Sequence, residues 1–180
     1  PFPFPWRRLI EGTDLLYIRL ESEHRLRRMV GLVFEGGGRL FREMSVLENL
    51  LLALRYHHNI GHQDAREKAN PVIKALDLEN WLERRPDSIP RNWGGGVALA
   101  RALVLNPKVL LLDNPLSGLD RRQVQWWLGF FETWESGFDL GLSVETIVVT
   151  DEHVGTWRTI ANRIAILHQE RLTSFGSWNR

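Results

Sequence analysis

The sequence predicts an α/β fold in which a mostly parallel sheet lies between helices. Three observations carry this. The runs 30–34, 109–112, 146–150 and 164–167 are apolar without alternation, the pattern of strands covered on both faces. Segments with helical spacing of apolar residues lie between them. The chain has 180 residues, 43% apolar and 25% charged, the size and composition of a single globular domain.

The elements follow in order. Val30-Gly31-Leu32-Val33-Phe34 is β-branched and ends at three glycines, Gly36 to Gly38. Ser45 with Glu48 three residues on forms a capping box, and Val46, Leu47, Leu50, Leu51 and Leu54 then share one helical face. Pro71 interrupts the pattern between Asp64 and Leu78, so two short helices are expected there. A helix over residues 97–105 stops before Pro107. Gly94-Gly95-Gly96 is read as a flexible lead into it. The run 109–112 is bounded by Asn106-Pro107 and Asp113-Asn114-Pro115. A helix over residues 121–135 precedes the run 146–150, and another is expected after His153.

Composition excludes several classes. With no cysteine, a disulfide scaffold, a thiolate nucleophile and a cysteine-ligated metal are out. The longest apolar stretches fall far short of the ~18 residues a spanning helix requires, and the first residues lack the order of a secretory signal. A cytoplasmic location is therefore expected. The net charge is +1 with the basic residues scattered. The cluster Arg25-Leu26-Arg27-Arg28 is too short for the basic stripe of a nucleic-acid binder, so no nucleic-acid partner is expected. His57, His58 and His62 lack a carboxylate or fourth ligand at fixed spacing and read as a polar loop rather than a metal site.

The chemistry points to the end of the second of the apolar segments. Val109-Leu110-Leu111-Leu112-Asp113-Asn114-Pro115 delivers a carboxylate to the C-terminal end of a buried strand, where open α/β sheets bind ligands. It continues as Leu116-Ser117-Gly118-Leu119-Asp120 and follows Val97-Ala98-Leu99-Ala100-Arg101-Ala102-Leu103. These stretches resemble the ATP-binding subunits of ABC transporters. Gly31-Leu32-Val33-Phe34-Glu35-Gly36-Gly37-Gly38-Arg39-Leu40-Phe41 resembles that family's Q-loop segment, and Ile10-Glu11-Gly12-Thr13-Asp14-Leu15 its strand and turn before the helical region. The glycine-rich loop is most similar to subunits of lipid-transport systems of the outer-membrane lipid-asymmetry type. The resemblance implies the α/β core of an ABC-type P-loop ATPase over residues 1–180, a three-layer, mostly parallel sheet with a helical subdomain at about 45–95 and without the N-terminal P-loop part.

Carried over residue by residue, the resemblance also implies losses. No Gly-Lys pair of a P-loop, the phosphate cradle, occurs in this sequence. The Q-loop glutamine matches Glu35. The second strand-end carboxylate, the family's general base, matches Asn114, whose amide cannot accept a proton from water. The switch histidine matches Asp151, with His153 two residues on. The signature loop matches Ile89-Pro90-Arg91-Asn92-Trp93. Asp113, Ser117, Gly118 and Asp120 are kept, so a vestigial nucleotide site would comprise Glu35, Asp113, Asn114, Ser117, Gly118, Asp120 and Asp151. No catalytic residue is assigned. No cofactor is expected for the isolated chain: Asp113 would recruit magnesium only weakly, and ATP and magnesium would enter only with a P-loop from elsewhere.

Two expectations concern partners. The resemblance implies an integral-membrane, permease-like subunit at Arg39, Leu40, Phe41, Arg42 and Met44, leaves room for a second ABC-type subunit, and places the chain peripherally at the cytoplasmic face of the inner membrane. On the helix after Asp120, Val124, Trp127, Leu128 and Phe131 form one apolar face, and Trp126, Phe130 and Trp134 form another. A helix apolar on two sides is buried on both or meets a partner, and the second face is read as an interface. The function expected is a non-catalytic, ABC-like subunit with a structural or regulatory role. The alternative is a diverged ATP-binding subunit of a lipid transporter, seen as an N-terminally truncated chain.

Overall fold

The structure, a computed structural model, describes residues 9–10, 13–14, 26–38, 40–135, 141–169 and 171–176. Two short strands, β1 (Leu9–Ile10) and β2 (Thr13–Asp14), pair antiparallel. Three strands, β3 (Val30–Val33), β4 (Val109–Asp113) and β5 (Thr146–Thr150), form a parallel sheet in the order β3-β4-β5. Between β3 and β4 the chain is helical: α1 (Val46–His58), α2 (His62–Ala75) and α3 (Arg91–Leu103), with short 3-10 turns at Glu79–Trp81 and Pro86–Ser88. Helix α4 (Arg121–Glu135) connects β4 towards β5. The fold class is thus α/β with a parallel sheet, as expected from the sequence.

Helix α1 begins as predicted. Ser45 Oγ accepts from the Glu48 amide at 3.2 Å and Glu48 Oε2 accepts from the Ser45 amide at 2.6 Å. This bond to the Ser45 backbone holds the Glu48 carboxyl below its ordinary pKa. The amides of Val46 and Leu47 donate to the carbonyls of Arg84 and Leu82, so the otherwise unpaired first turn also ties α1 to the loop that precedes α3. Asn59 ends the helix in the left-handed conformation, with φ 50°.

The sheet is covered on one face only among the described residues. Register pairs Gly31 with Leu110 and Val33 with Leu112; this face meets α3, whose Ala102 carbonyl lies 3.1 Å from the position a Cβ on Gly31 would take. Val33, Leu110 and Leu112 are buried. The alternate row, Leu32, Leu111 and Val148, crosses all three strands on the other face, and Leu32 and Val148 are 42% and 47% exposed. The expectation of two covered faces therefore holds for one. The described helices lie after β3 and after β4 and leave the second face open.

Four further expectations are corrected. Pro71 does not divide its segment: α2 runs unbroken through it. Pro71 is exposed, so the carbonyl that loses its donor lies on the wet side, while Ala65, Ala69, Val72 and Ile73 anchor the other side in the core. The run 164–167 does not join the parallel sheet; as β6 (Ile164–His168) it pairs antiparallel with β7 (Arg171–Gly176) in a hairpin. The segment after His153 is a single 3-10 turn, Val154–Trp157, not a helix. Helix α3 starts at Arg91, six residues earlier than the alanine-rich run suggests, and takes in Gly94, Gly95 and Gly96.

Those glycines are seats rather than a flexible lead. A Cβ on Gly37 would stand 2.9 Å from the Gly94 carbonyl oxygen, one on Gly95 would stand 3.2 Å from the Trp127 ring, and one on Gly96 would stand 3.4 Å from the Trp126 ring. Each glycine disfavours a helix by ~1 kcal/mol relative to alanine, and the contacts it admits offset that. The position of a Cβ on Gly94 itself is open. Gly94→Ala should therefore raise stability by ~0.5–1 kcal/mol in chemical denaturation, whereas Gly95→Ala should lower it, because the fully packed Trp127 cannot yield. Equal gains for the two variants would refute the seat.

Candidate functional site

The parallel register sets Asp113 opposite Thr150 at the C-terminal ends of β4 and β5. The Thr150 hydroxyl donates to Asp113 Oδ1 at 2.8 Å and accepts from the Asn114 amide at 3.0 Å. Asn114 lies in the left-handed region, φ 45°, which asparagine tolerates better than most residues. This kink carries its side chain across to the neighbouring strand end, where Asn114 Nδ2 donates to Glu35 Oε1 at 3.4 Å. Glu35 opens the 3-10 turn Glu35–Gly37 directly after β3. Three adjacent strand ends thus bring Glu35, Asp113, Asn114 and Thr150 together.

The other site residues predicted from sequence sit around this group with local duties. Ser117 donates its backbone N–H to the Asn114 carbonyl and Gly118 turns the chain at φ 69°. Asp120 caps α4: its Oδ1 accepts from the Gln123 amide and its own amide donates to Gln123 Oε1, the reciprocal pair of a capping box. Asp151 accepts from the His153 amide at 2.6 Å and from Trp157 Nε1 at 2.7 Å, so its carboxylate ties the turn after β5 to a buried tryptophan. Thr150 is the member that sequence reasoning missed; the pairing of two strand ends was the signal that could have found it.

Behind the turn at Glu35 stands α3. Gly37 abuts Gly94, and Arg101 brings a guanidinium nitrogen to 3.7 Å from the Cβ position of Gly38. Burial lowers the pKa of Arg101. No group of three or more His, Asp or Glu side chains suited to a metal occurs among the described residues. His57 and His58 lie in the last turn of α1 and His62 is the first residue of α2, so the three are helical rather than in the loop expected; burial lowers the pKa of His58.

The residues expected to meet a membrane partner lie on the loop before α1. Arg39 lies outside the described residues. Phe41 is 53% exposed, Arg42 is exposed and faces Asp87 at 3.7 Å, and Met44 is half-buried. Residues 42–43, 83–85 and 87–88 border an open groove of about 460 Å³ lined by both signs of charge.

Helix α4 divides its aromatics as the sequence suggests, but less sharply. Trp127 and Phe131 are 2% exposed. Trp126, Phe130 and Trp134 are half-buried and, with Gly129, line a groove of about 370 Å³. Ring contacts run from Trp81 through Trp93, Trp126 and Phe130 to Trp134, at centroid distances of 5.7, 6.4, 6.1 and 5.7 Å. The second face is therefore packed within the domain along one side and open along the other.

With this geometry in place, comparison with known proteins is decisive. The sequence profile of the ABC transporter family matches residues 7–117. The chain belongs to the ABC transporter family. Among curated relatives, it is 34% identical over 154 residues to a spermidine/putrescine import ATP-binding protein of Trichodesmium erythraeum, covering 84% of this chain and 38% of that protein. It is 31% identical to a probable sulfate/thiosulfate import ATP-binding protein of Chlorella vulgaris (93% and 66% covered), and 27% identical to a probable ribonucleotide transport ATP-binding protein of Mycobacterium leprae (93% and 47% covered). The chain thus spans between 38% and 66% of the length of these relatives. Two solved structures share the fold: cbiO1 from Clostridium perfringens, part of the ABC transporter complex cbiONQ, with TM-score 0.78 at 22% identity, covering 94% of this chain and 64% of that one, and the ATP-binding cassette MJ0796 in a dimeric post-hydrolysis state bound to ADP and Pi, with TM-score 0.74 at 23% identity, covering 94% and 73%. The four-residue cluster at the strand ends is this family member's candidate site.

The two aromatic faces of α4 differ in a measurable way. Trp127→Ala should cost ~3–5 kcal/mol, the scale of a large-to-small core change. Trp126→Ala should cost less, ~1.5–3 kcal/mol, because its ring is only half withdrawn from water. Urea denaturation of both variants checks this, and equal losses would make both faces core.

Proposed function

We propose that this chain is an ABC-type subunit that does not itself turn over nucleotide and acts as a structural or regulatory partner in a membrane-associated assembly. One observation carries the reading. The residue after Asp113, where the family's base would stand, is Asn114, and its amide is engaged with Glu35. A carboxamide can orient water but cannot take its proton. Asp151, at the matched position of the switch histidine, is held by Trp157 and the His153 amide. Phosphoryl transfer rests on positioning and charge stabilisation, so these substitutions remove the proton acceptor and leave the rest of the site without a catalyst.

The partner is an integral-membrane, permease-like subunit, as an ABC complex such as cbiONQ suggests. It docks on the loop of Phe41, Arg42 and Met44 and holds the chain at the cytoplasmic face of the membrane. The half-open groove of Trp126, Phe130 and Trp134 offers a second contact, to another subunit of the assembly. No helix among the described residues is long and apolar enough to cross a membrane. A lipid cargo is proposed on the glycine-rich loop alone; the names of the relatives cover a polyamine, sulfate and a ribonucleotide.

A second reading keeps nucleotide in play. Asp113 is retained, and Thr150 holds it by a 2.8 Å bond, an arrangement that would suit an ATP-binding subunit whose active partner supplies the base. The ATPase activity of the full natural chain, alone and with the chains that copurify with it, separates the two. The first reading expects no turnover by the chain alone and no effect of Asp113→Ala on the assembly's rate. Steady turnover that Asp113→Ala abolishes would establish the second.

A further inference from the structure

Asn49 is the sole buried polar side chain noted among the described residues, at 0% exposure in the first turns of α1. A buried carboxamide without partners would be costly, ~1–3 kcal/mol, and this one is fully engaged. Its Oδ1 accepts from the Phe41 amide at 2.8 Å. Its Nδ2 donates to the Phe41 carbonyl at 3.0 Å, to the Ser45 carbonyl at 2.9 Å and, more weakly, to the Met44 carbonyl at 3.4 Å. The side chain thus grips both backbone groups of Phe41, as a neighbouring strand would. A carboxamide suits this task because it carries acceptor and donors on one short planar group. Aspartate would set a charge against three carbonyls, and leucine would strand the Phe41 amide.

The ring of Phe41 stands 53% exposed, and the next residue, Arg42, lines a groove with Asp87. A large apolar side chain in water, on a backbone fixed from inside the core, is a pre-set contact. We infer that Asn49 is a positioning residue, which holds the Phe41 loop in its docking conformation before any partner arrives. The inference rests on the reading of this loop as the membrane partner's docking element. Its consequence is that the ordering of the loop is settled during folding, so docking loses less conformational entropy than it would from a mobile loop. The partner it fits offers an apolar recess for Phe41 and polar groups of both signs around it.

The test uses the full natural chain and cytoplasmic-membrane vesicles of its source cell. Hydrogen exchange at the Phe41 amide and cosedimentation with the vesicles are measured for Asn49→Ala, Glu43→Gly and Phe41→Asp. Asn49→Ala should speed Phe41 exchange about tenfold and weaken cosedimentation by about the same factor, while the amides of residues 50–54 keep their protection. Glu43→Gly loosens the loop from the solvent side without touching the core and should move both readouts the same way, less far, so it decides the matter if Asn49→Ala fails to fold. Unchanged Phe41 exchange in Asn49→Ala, or equal acceleration along α1, overturns the positioning role. So does full cosedimentation of Asn49→Ala where Phe41→Asp is released. Unchanged cosedimentation of Phe41→Asp instead shows that the docking reading has failed, and the positioning role with it.

Discussion

The closeness with which other parts approach α3 is the constraint on which the rest of the structure depends. This helix lies between the sheet, the turn that carries Glu35, and the aromatic helix α4, and it meets each through a residue without a side chain. Gly31 lets β3 lie against its C-terminal half, and Gly37 lets the turn lie against Gly94. Gly95 and Gly96 receive the rings of Trp127 and Trp126. Three successive glycines would unwind a helix left in water. Here the surrounding layers hold the backbone in place, and the same packing fixes where the candidate site's first residue stands. Helix and site are consequences of one close approach.

That dependence explains what could and could not be read from the sequence. The capping box of α1, the bounds of α4 and the strand before Asp113 are local, and local chemistry reports them: a serine three residues before a glutamate, a helical apolar stripe, a run ended by Asn114-Pro115. The start of α3 is not local. Arg91 to Gly96 has poor helix propensity, and what favours a helix there is distant in sequence: the ring of Trp127, 32 residues after Gly95, packs against it. The helix through Pro71 has the same cause, since four buried side chains outweigh one missing hydrogen bond. The fate of the run 164–167 was equally hidden: an apolar strand does not say which edge it will pair with, and this one found Arg171–Gly176.

The candidate site was legible in its members and not in its wiring. Glu35, Asp113 and Asn114 can be named from motif positions, but a motif does not show that a threonine one strand over holds the aspartate, or that the asparagine's kinked backbone sends its amide to Glu35. The turn after β3 carries the acid Glu35, and the residue after Asp113 carries the amide of Asn114. The amide after β4 is the donor in their contact. That amide reaches Glu35 at 3.4 Å, so the ends of β3 and β4 are linked through their side chains.

The strand ends are linked to one another, while one face of the sheet stays open among the described residues. Parallel sheets are stable when both faces are covered, yet Leu32, Leu111 and Val148 form an apolar row that no described element covers. Burying such a row contributes ~25 cal/mol per Å², so the described fold leaves favourable contact unmade at the same sheet whose far ends hold the candidate site. The strand ends have internal partners and the face does not. Among the described residues, the chain's unspent interactions are therefore surfaces for packing: the sheet face, the exposed Phe41 ring and the open side of the α4 aromatics.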